Sequence, residues 1–377
     1  MKFVFAPDSM KGSMTSKEEI AILEEKARKY FPDCEIVSIP MADGGEGTVE
    51  ALMQVMDGVQ QEVTVHNPLY EKITACYSVL QGGTVLVEMA AASGLTLIEY
   101  QEGNAIETTS FGTGELIRHA LEQGYRKFVV AIGGSATNDG GIGAMAALGA
   151  KFYDGAGDEL FPAGKNLIKI DRIDVSDMMP ELKEARFTVM CDVDNPMTGP
   201  EGATFVFGPQ KGAVDSQMTL LEIGMKKYAE LLRRDLHMDV EMMPGAGAAG
   251  GMGGAMMAFL GAKLKSGIQT VLETIRFEEK IAGADMVITG EGRVDEQSLH
   301  GKVLWGVGMA AKNQGVPVTA IVGSMGDGAE GIYDCGIDNL IPLMNEEMTL
   351  TYAMGHAAYL YEAAAERLFG WLSVEEG

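Results

Sequence analysis

The feature that most constrains the fold is a strand pattern that opens the chain and returns near its C-terminus. Lys2 to Ala6 is a short apolar run, and the segment that starts at Ser16 has the Ser-x-x-Glu pattern of a helix N-terminus. Short apolar runs bounded by polar loops are typical of buried parallel strands. Three runs in the last quarter of the chain have the same character, at residues 285–289, 318–322 and 340–343. We therefore predict one parallel sheet to which both ends of the chain contribute.

The middle of the chain has a different pattern. From about Gln61 to Ala90, three segments rich in Val, Ile and Thr follow one another without a helical period, which predicts an antiparallel insertion. Strand and helix patterns then alternate again. The predicted fold class is α/β with two domains. A discontinuous Rossmann/flavodoxin-like parallel-sheet domain comprises residues 1–63 plus 285–377, and an inserted mixed α/β domain comprises residues 64–284. We expect the active site in the cleft between these domains, where ligand sites often occur.

The charge of the chain limits its partners. Asp and Glu number 54 against 29 Lys and Arg, which gives a net charge of −25. A field of this sign repels nucleic acid and anionic lipid, so we expect neither as a partner. A site for an anion would need Mg²⁺, local Lys or Arg, or helix N-termini to reverse the sign.

The cysteines and the hydropathy pattern predict a cytoplasmic protein. The four cysteines are far apart and form no C-x-x-C pair, so neither a zinc site nor a disulfide framework is predicted. Asp8 interrupts the first apolar run before a signal-peptide core can form, and no run reaches the roughly 20 apolar residues that span a bilayer. The sequence leaves the oligomeric state open.

The strongest candidate for phosphate binding is the segment 133–141, which lies between an apolar strand and a helix of small residues. No P-loop pattern occurs in the chain. In this segment, successive backbone amides, two hydroxyls and the helix N-terminus would face an anion. The alternative is a tight turn in which Asn138 or Asp139 caps the helix. The predicted nucleotide-binding residues are Gly133, Gly134, Ser135, Thr137, Asn138, Gly140 and Gly141.

Two acidic segments are candidates for metal binding or base catalysis. Asp43 and Glu46 lie in a glycine-rich loop, and carboxylates so close repel each other unless a cation lies between them. Asp192 and Asp194 follow an apolar strand pattern, and side chains two residues apart on a strand point the same way. These four residues are the predicted metal ligands. The alternative is that they cap a helix or a strand end.

The loop after the first strand suits a small anionic substrate. Asp8, Ser9 and Lys11 bring a carboxylate, a hydroxyl and an ammonium onto one short segment. Lys11 can neutralise a phosphate or carboxylate, and Asp8 can bind a hydroxyl or a metal. A plain solvated loop is the alternative.

A second cationic loop follows the strand pattern at residues 285–289. The planar guanidinium of Arg293 matches a carboxylate, and Lys302 follows a little further on. The alternative for Arg293 is a surface ion pair with Glu291 or Asp295. The predicted substrate-binding residues are therefore Asp8, Ser9, Lys11, Arg293 and Lys302.

Eight segments occur in the order found in the bacterial type I glycerate kinase family, which the sequence resembles from Ala6 to about Ser324. They are APDSMKGSMTS, PMADGGEGT, EMAAASGL, TSFGTGELI, IGGSATNDGG, CDVDNP, PGAGAAGG and TGEGRVDEQSLHGK. The resemblance implies ATP-dependent phosphorylation of D-glycerate at its 2-hydroxyl, with Mg²⁺, by a two-domain α/β protein that lacks a P-loop.

The implied reaction suggests roles for four of the candidate residues. Phosphoryl transfer depends on positioning and on neutralising charge, so acidic loops for Mg²⁺ and glycine loops for phosphates are the expected parts. We hypothesise that Asp43 or Asp192 is the metal ligand or the base, and that Lys11 and Arg293 bind the anionic substrate. These four are the predicted catalytic residues.

Other functions remain open from the sequence. Phosphorylation at the 3-hydroxyl, or of another small sugar acid, would use the same loops because pocket shape sets specificity. A non-catalytic sensor of a hydroxy acid or nucleotide is a more distant alternative. A dehydrogenase is the third, because residues 245–250 spell G-x-G-x-x-G, although no convincing βαβ pattern surrounds them.

Overall fold

The computed structural model describes residues 1–41, 52, 53, 55–99, 104–299, 301–345 and 347–375. The chain divides into two compact units. The first unit comprises Met1–Met56 and Gly267–Gly377, and the second comprises Asp57–Ser266. The domain boundaries expected from the sequence, at 63/64 and 284/285, stay a prediction. The active-site cleft expected between the domains also stays a prediction. No helix in the described ranges is both long and apolar enough to cross a bilayer.

The strands and helices alternate through most of the chain. The strands are β1 Lys2–Pro7, β2 Glu35–Ser38, β3 Val59–His66, β4 Lys72–Val79, β5 Thr84–Glu88, β6 Lys127–Ala131, β7 Lys151–Tyr153, β8 Arg172–Asp174, β9 Arg186–Met190, β10 Lys263–Lys265, β11 Met286–Val294, β12 Val318–Met325 and β13 Asn339–Pro342. Among the described residues, the α-helices are α1 Ser16–Tyr30, α2 Ala90–Ser93, α3 Phe111–Glu122, α4 Ile142–Ala147, α5 Ala203–Phe207, α6 Asp215–Leu236, α7 Ala248–Leu260, α8 Gly267–Thr274, α9 Phe277–Ile281, α10 Val303–Gln314, α11 Leu350–Gly355 and α12 Ala357–Glu375.

The first unit is built on a parallel sheet in the order β13-β12-β11-β1-β2. Strand β1 pairs with β11 on one side and with β2 on the other, so residues from both ends of the chain form adjacent strands. This confirms the predicted parallel sheet from both termini. Because all five strands run the same way, the loops that follow them meet at one edge of the sheet.

Helices α1 and α12 cover one face of this sheet. Phe3 and Phe5 of β1 pack with Leu23 of α1 and with Tyr361 and Phe369 of α12 in one buried cluster. Helix α1 begins with a capping box, but the cap is Thr15, with Glu18 as its partner, one residue earlier than the sequence suggested. The apolar stripe of α1 therefore faces the sheet. This packing holds the loop between β1 and α1 at the carboxyl ends of the strands.

The second unit has a six-stranded sheet in the order β10-β9-β6-β5-β4-β3. The pairs from β10 to β5 are parallel, whereas β5, β4 and β3 form an antiparallel meander. The predicted antiparallel insertion is therefore correct. A large buried cluster that includes Phe128, Phe152, Tyr228 and Met256 fills the interior of this unit.

Candidate active site

A pocket of about 460 Å³ lies in the first unit at the carboxyl ends of β1, β11 and β12. Open parallel sheets place their ligands at this edge. The pocket is lined by all five residues that the sequence predicts for substrate binding, and also by Glu291. The charged and hydroxyl side chains around it include Asp8, Ser9, Lys11, Glu291, Arg293 and Lys302.

The loop after β1 is held by its own backbone. The Asp8 amide donates to the Gly290 carbonyl oxygen at 2.9 Å, which ties the loop to β11. The amides of Ser13 and Met14 both donate to the Met10 carbonyl oxygen. Asp8 is 9% exposed, and one of its carboxylate oxygens accepts from the Ser9 amide at 2.7 Å. Lys11, in contrast, is exposed on this turn.

The end of β11 presents a buried acid beside an exposed guanidinium. Glu291 is 6% exposed, and the Ser298 hydroxyl donates a hydrogen bond to its Oε1. Burial raises the pKa of Glu291 to about 7, although the Ser298 hydrogen bond and Lys302 oppose this shift. Arg293 Nε lies 3.5 Å from Asp295 Oδ2. The surface ion pair that the sequence left open is thus formed, and Arg293 lines the pocket as well.

A second buried acid, Glu19 of α1, was not predicted as functional. It has 0% exposure, and neither of its oxygens makes a hydrogen bond of good geometry in the described part of the chain. Burial raises its pKa to about 9; the Met10 backbone lowers it, and the Asp8 charge raises it. One signal in the sequence could have found it, because Glu19 lies four residues before Leu23 and eight before Ala27 on the buried stripe.

The segment 133–141 lies in the second unit, directly between β6 and α4. Only Gly133 and Gly134 are exposed, and Ser135 to Gly141 are buried. Gly134, Gly140 and Gly141 all have positive φ, which fits a tight loop. The structure therefore brings the predicted nucleotide-binding residues into one loop, with most of their side chains turned inward.

Asp139 anchors this loop. One carboxylate oxygen accepts from the amide and hydroxyl of Ser110 and from the Gly143 amide, and the other accepts from the Gly141 amide at 3.0 Å. Burial raises the pKa of Asp139, while these hydrogen bonds lower it. The amides of Gly141 and Gly143 at the N-terminus of α4, which the sequence assigned to an external anion, thus donate to the Asp139 carboxylate here. This matches the alternative reading in which Asp139 caps the helix.

Lys211 lies under the same loop, and no sequence motif singled it out. Its ammonium is 3% exposed and donates to Ser135 Oγ at 2.8 Å and to the Thr137 carbonyl oxygen at 2.7 Å. Burial lowers its pKa to about 7, and the Asp139 charge partly opposes this. The Thr137 hydroxyl is buried and has no hydrogen-bond partner in the described part of the chain.

The turn that spells G-x-G-x-x-G packs against the segment 133–141. The Gly140 amide donates to the Gly250 carbonyl oxygen at 2.9 Å. Gly250 has φ +71°, and a Cβ there would lie 2.1 Å from the Thr137 carbonyl oxygen. No strand leads directly into this turn, in contrast to a dinucleotide-binding βαβ unit. These glycines therefore allow two backbone segments to approach closely.

The predicted metal ligands are only partly placed. Asp43 and Glu46 lie outside the described residues. Strand β9 ends at Met190, so Asp192 and Asp194 lie in an exposed segment without regular structure. The expectation that they share a strand face is therefore wrong, because strand alternation stops before they begin. Within the described ranges, no three His, Cys, Asp or Glu residues form a group that could hold a metal.

A parallel α/β sheet with cations and acids around a pocket at its carboxyl edge is the arrangement of an enzyme for a small anionic ligand. Comparison with known proteins specifies the family. The sequence profile of the glycerate kinase family matches residues 3–373. The chain therefore belongs to the glycerate kinase family and is a kinase that acts on an alcohol group.

Individual relatives match over nearly their whole lengths. The chain is 47% identical to the glycerate 2-kinase of Escherichia coli (strain K12), over 94% of this chain and 93% of that protein. It is 43% identical to the glycerate kinase of Bacillus subtilis (strain 168), over 97% and 96% of the two chains. A solved structure from Salmonella typhimurium LT2, assigned as a glycerate kinase 2, has a TM-score of 0.89 at 42% identity and covers 100% of this chain and 99% of its own.

Proposed function

We propose that this protein transfers the γ-phosphoryl group of ATP to the 2-hydroxyl of D-glycerate, with Mg²⁺, and releases ADP and 2-phosphoglycerate. The observation that carries the proposal is the charge of the pocket in the first unit. Lys11, Arg293 and Lys302 gather there although the chain has a net charge of −25. A local reversal of charge is what an anionic substrate requires in such a field. The name of the Escherichia coli relative supports the 2-hydroxyl as acceptor.

The pocket residues suit a small hydroxy acid. In this proposal the guanidinium of Arg293 binds the substrate carboxylate, and Lys11 and Lys302 add positive charge for the carboxylate and the transferred phosphoryl group. Asp8 and Ser9 bind the substrate hydroxyls. These groups hold the reactants in one orientation, which is the main contribution of a protein to phosphoryl transfer.

The segment 133–141 is our proposed site for the phosphates of ATP. Its exposed part, Gly133 and Gly134, allows the backbone to approach a phosphate closely. The Thr137 hydroxyl has no partner in the described structure and can donate to an oxygen. Ser135, Asn138, Gly140 and Gly141 complete the loop.

Magnesium is the metal that we propose for the reaction. Asp192 and Asp194 are exposed carboxylates, which are oxygen donors of the kind that Mg²⁺ binds. Together with Asp43 and Glu46 they are the proposed ligands. Bound Mg²⁺ would neutralise charge on the β- and γ-phosphates. We also propose a cytoplasmic location, in keeping with four cysteines that are all free thiols.

The test is incubation of the purified protein with ATP, Mg²⁺ and D-glycerate, followed by phosphorus NMR of the product. A 2-phosphoglycerate signal that disappears on chelation of Mg²⁺ is the expected result. A 3-phosphoglycerate signal would keep the family and contradict the acceptor hydroxyl. Consumption of ATP only with another hydroxy acid would contradict the substrate. ATP that stays intact with every acid would support a binding protein instead.

A further inference from the structure

We propose that Glu291 is the general base that accepts the proton of the substrate hydroxyl. This inference rests on the proposed function, because it needs a hydroxy acid in the pocket of the first unit. The role of base is thus assigned to neither Asp43 nor Asp192, the two candidates that the sequence suggested. Asp43, Glu46, Asp192 and Asp194 keep their proposed role as Mg²⁺ ligands.

The position of Glu291 in the pocket is the first support. Its side chain lines the pocket and is 6% exposed, so the carboxylate is held in place and largely shielded from water. Ser298 donates to Oε1, whereas Oε2 makes no hydrogen bond to the part of the chain that the structure describes. One oxygen is thus oriented by the protein, and the other can accept a proton.

The spacing between Glu291 and Arg293 is the second support. Both lie on β11, and residues two apart on a strand share a face and are separated by about 6.6 Å along it. In D-glycerate the 2-hydroxyl is on the carbon next to the carboxylate. In the proposed pose, the substrate carboxylate binds Arg293 and the 2-hydroxyl points toward Glu291.

The charges around Glu291 suit a base that works near neutral pH. The groups that act on it are Asp8 at the end of β1, Asp295 after β11, Lys302 before α10 and the hydroxyl of Ser298. Burial and the two acids raise its pKa to about 7, while Ser298 and Lys302 limit the rise. A general base is most efficient when its pKa lies near the working pH.

The proposed step is balanced in protons and charge. The substrate oxygen forms a bond to the γ-phosphorus as the bond from that phosphorus to the β–γ bridging oxygen breaks. The hydroxyl proton passes to Glu291, and the electrons of the broken bond leave with ADP. Glu291 releases the proton to water after the products dissociate, which restores the carboxylate.

The experiment is the pH dependence of kcat/KM for the wild type and for three variants, with phosphorus NMR of each product. In the wild type, kcat/KM should rise with pH and level off above about 7, because the carboxylate is the active form. Glu291→Gln keeps the side-chain size but cannot accept the proton, so kcat should fall about 10²–10⁴-fold and the rise near pH 7 should disappear. Glu296→Gln, an exposed acid of the same segment, is the matched control and should retain the wild-type profile.

Ser298→Ala tests whether Glu291 acts as a base or has only a structural role. Loss of the hydrogen bond that favours the carboxylate should move the rise of kcat/KM to higher pH. An unchanged pH profile of kcat/KM in Ser298→Ala, or a wild-type kcat in Glu291→Gln, would overturn this inference but leave the proposed function intact. A wild-type protein that forms no phosphoglycerate would contradict the proposed function and this inference with it. Thermal unfolding of each variant checks that it is folded.

Discussion

The two units bury opposite charges next to their candidate loops. In the first unit, the acids Glu19 and Glu291 are buried near the strand ends, and their pKa values are raised to about 9 and about 7. In the second unit a cation, Lys211, is buried under the segment 133–141, and its pKa is lowered to about 7. Both arrangements place an ionisable group out of water without a full partner. Burial therefore shifts each of these groups toward its neutral form, so the contributions of Glu19 and Glu291 to stability should fall as pH rises, whereas the contribution of Lys211 should rise.

Asp139, a buried acid in the second unit, differs from Glu19 because the protein donates four hydrogen bonds to it, and its removal should have the largest effect on stability. Asp139 accepts four hydrogen bonds, so Asp139→Ala leaves buried donors of Ser110, Gly141 and Gly143 without an acceptor. We expect a loss of about 3–5 kcal/mol in the free energy of unfolding. Urea denaturation measures it, and hydrogen exchange should show faster exchange of residues 133–147.

Asp158→Ala is the control for this prediction. Asp158 is exposed in the same unit, and its substitution should cost less than about 0.5 kcal/mol. A similar cost for both variants would mean that the Asp139 network does not hold the loop. The contrast between Asp139, which accepts four hydrogen bonds, and Glu19, whose oxygens have no hydrogen-bond partner in the described part of the chain, would then be wrong.

The next largest effect should be that of Arg293→Ala, which tests whether the first unit binds D-glycerate and the second binds ATP. Arg293→Ala removes a charge-assisted hydrogen bond to the substrate carboxylate, so KM for D-glycerate should rise roughly 30–100-fold, which corresponds to about 2–3 kcal/mol. KM for ATP should change less than threefold. Lys17→Ala makes the same change of charge on the exposed face of α1 and should alter neither value. Equal changes in both KM values for Arg293→Ala would contradict separate roles for the pocket and the segment 133–141.

The sequence predicted the sheet of the first unit because parallel strands are buried on both faces and read as short apolar runs. The carboxyl ends of parallel strands share an edge, so the loops after β1 and β11 meet there. Lys11 and Arg293 are far apart in the chain, yet both line the pocket for this reason. Topology was therefore sufficient to group the substrate-binding candidates.

Burial could not be predicted in the same way. Lys211 follows a Gly-Pro-Gln turn, and only packing of distant segments places its ammonium under Ser135 and Thr137. Asp139 was one of two candidate helix caps in the sequence, but its spacing gave no sign of Ser110, 29 residues earlier, whose amide and hydroxyl also donate to it. Asp192 and Asp194 were expected on a strand but lie beyond its end. The end of β9 depends on its pairing with β6 and β10, which the spacing of the two acids does not reveal.

Glu19→Gln tests the pH response of the first unit. The pKa of Glu19 is about 9 in the folded protein against an ordinary 4.5, so the folded state binds more protons between these values. Stability should therefore fall as pH rises from about 4.5 to about 9. Gln resembles the neutral acid and has no such dependence. We expect the variant to gain about 2–3 kcal/mol over the wild type between pH 6 and pH 8, because each pKa unit corresponds to about 1.4 kcal/mol.

Urea denaturation at a series of pH values measures this difference between Glu19→Gln and the wild type. Glu330→Gln, an exposed acid of the same unit, should follow the wild type at every pH. A constant difference between Glu19→Gln and the wild type across this range would show that Glu19 is already ionised at pH 6. The first unit would then contain a partner for the carboxylate.

Lys211→Met should give the smallest change, with the opposite sign. The pKa of Lys211 is about 7 when folded against an ordinary 10.5, so the unfolded chain binds the extra proton between these values and wild-type stability rises with pH in that range. Met keeps the length of the side chain without a charge, so the wild type should gain about 2 kcal/mol over the variant from pH 7 to pH 9. Lys183→Met, at an exposed site in the same unit, should show no such divergence. If the wild type and Lys211→Met stay parallel, the ammonium remains charged under the loop, and the two units do not differ in the way that burial predicts.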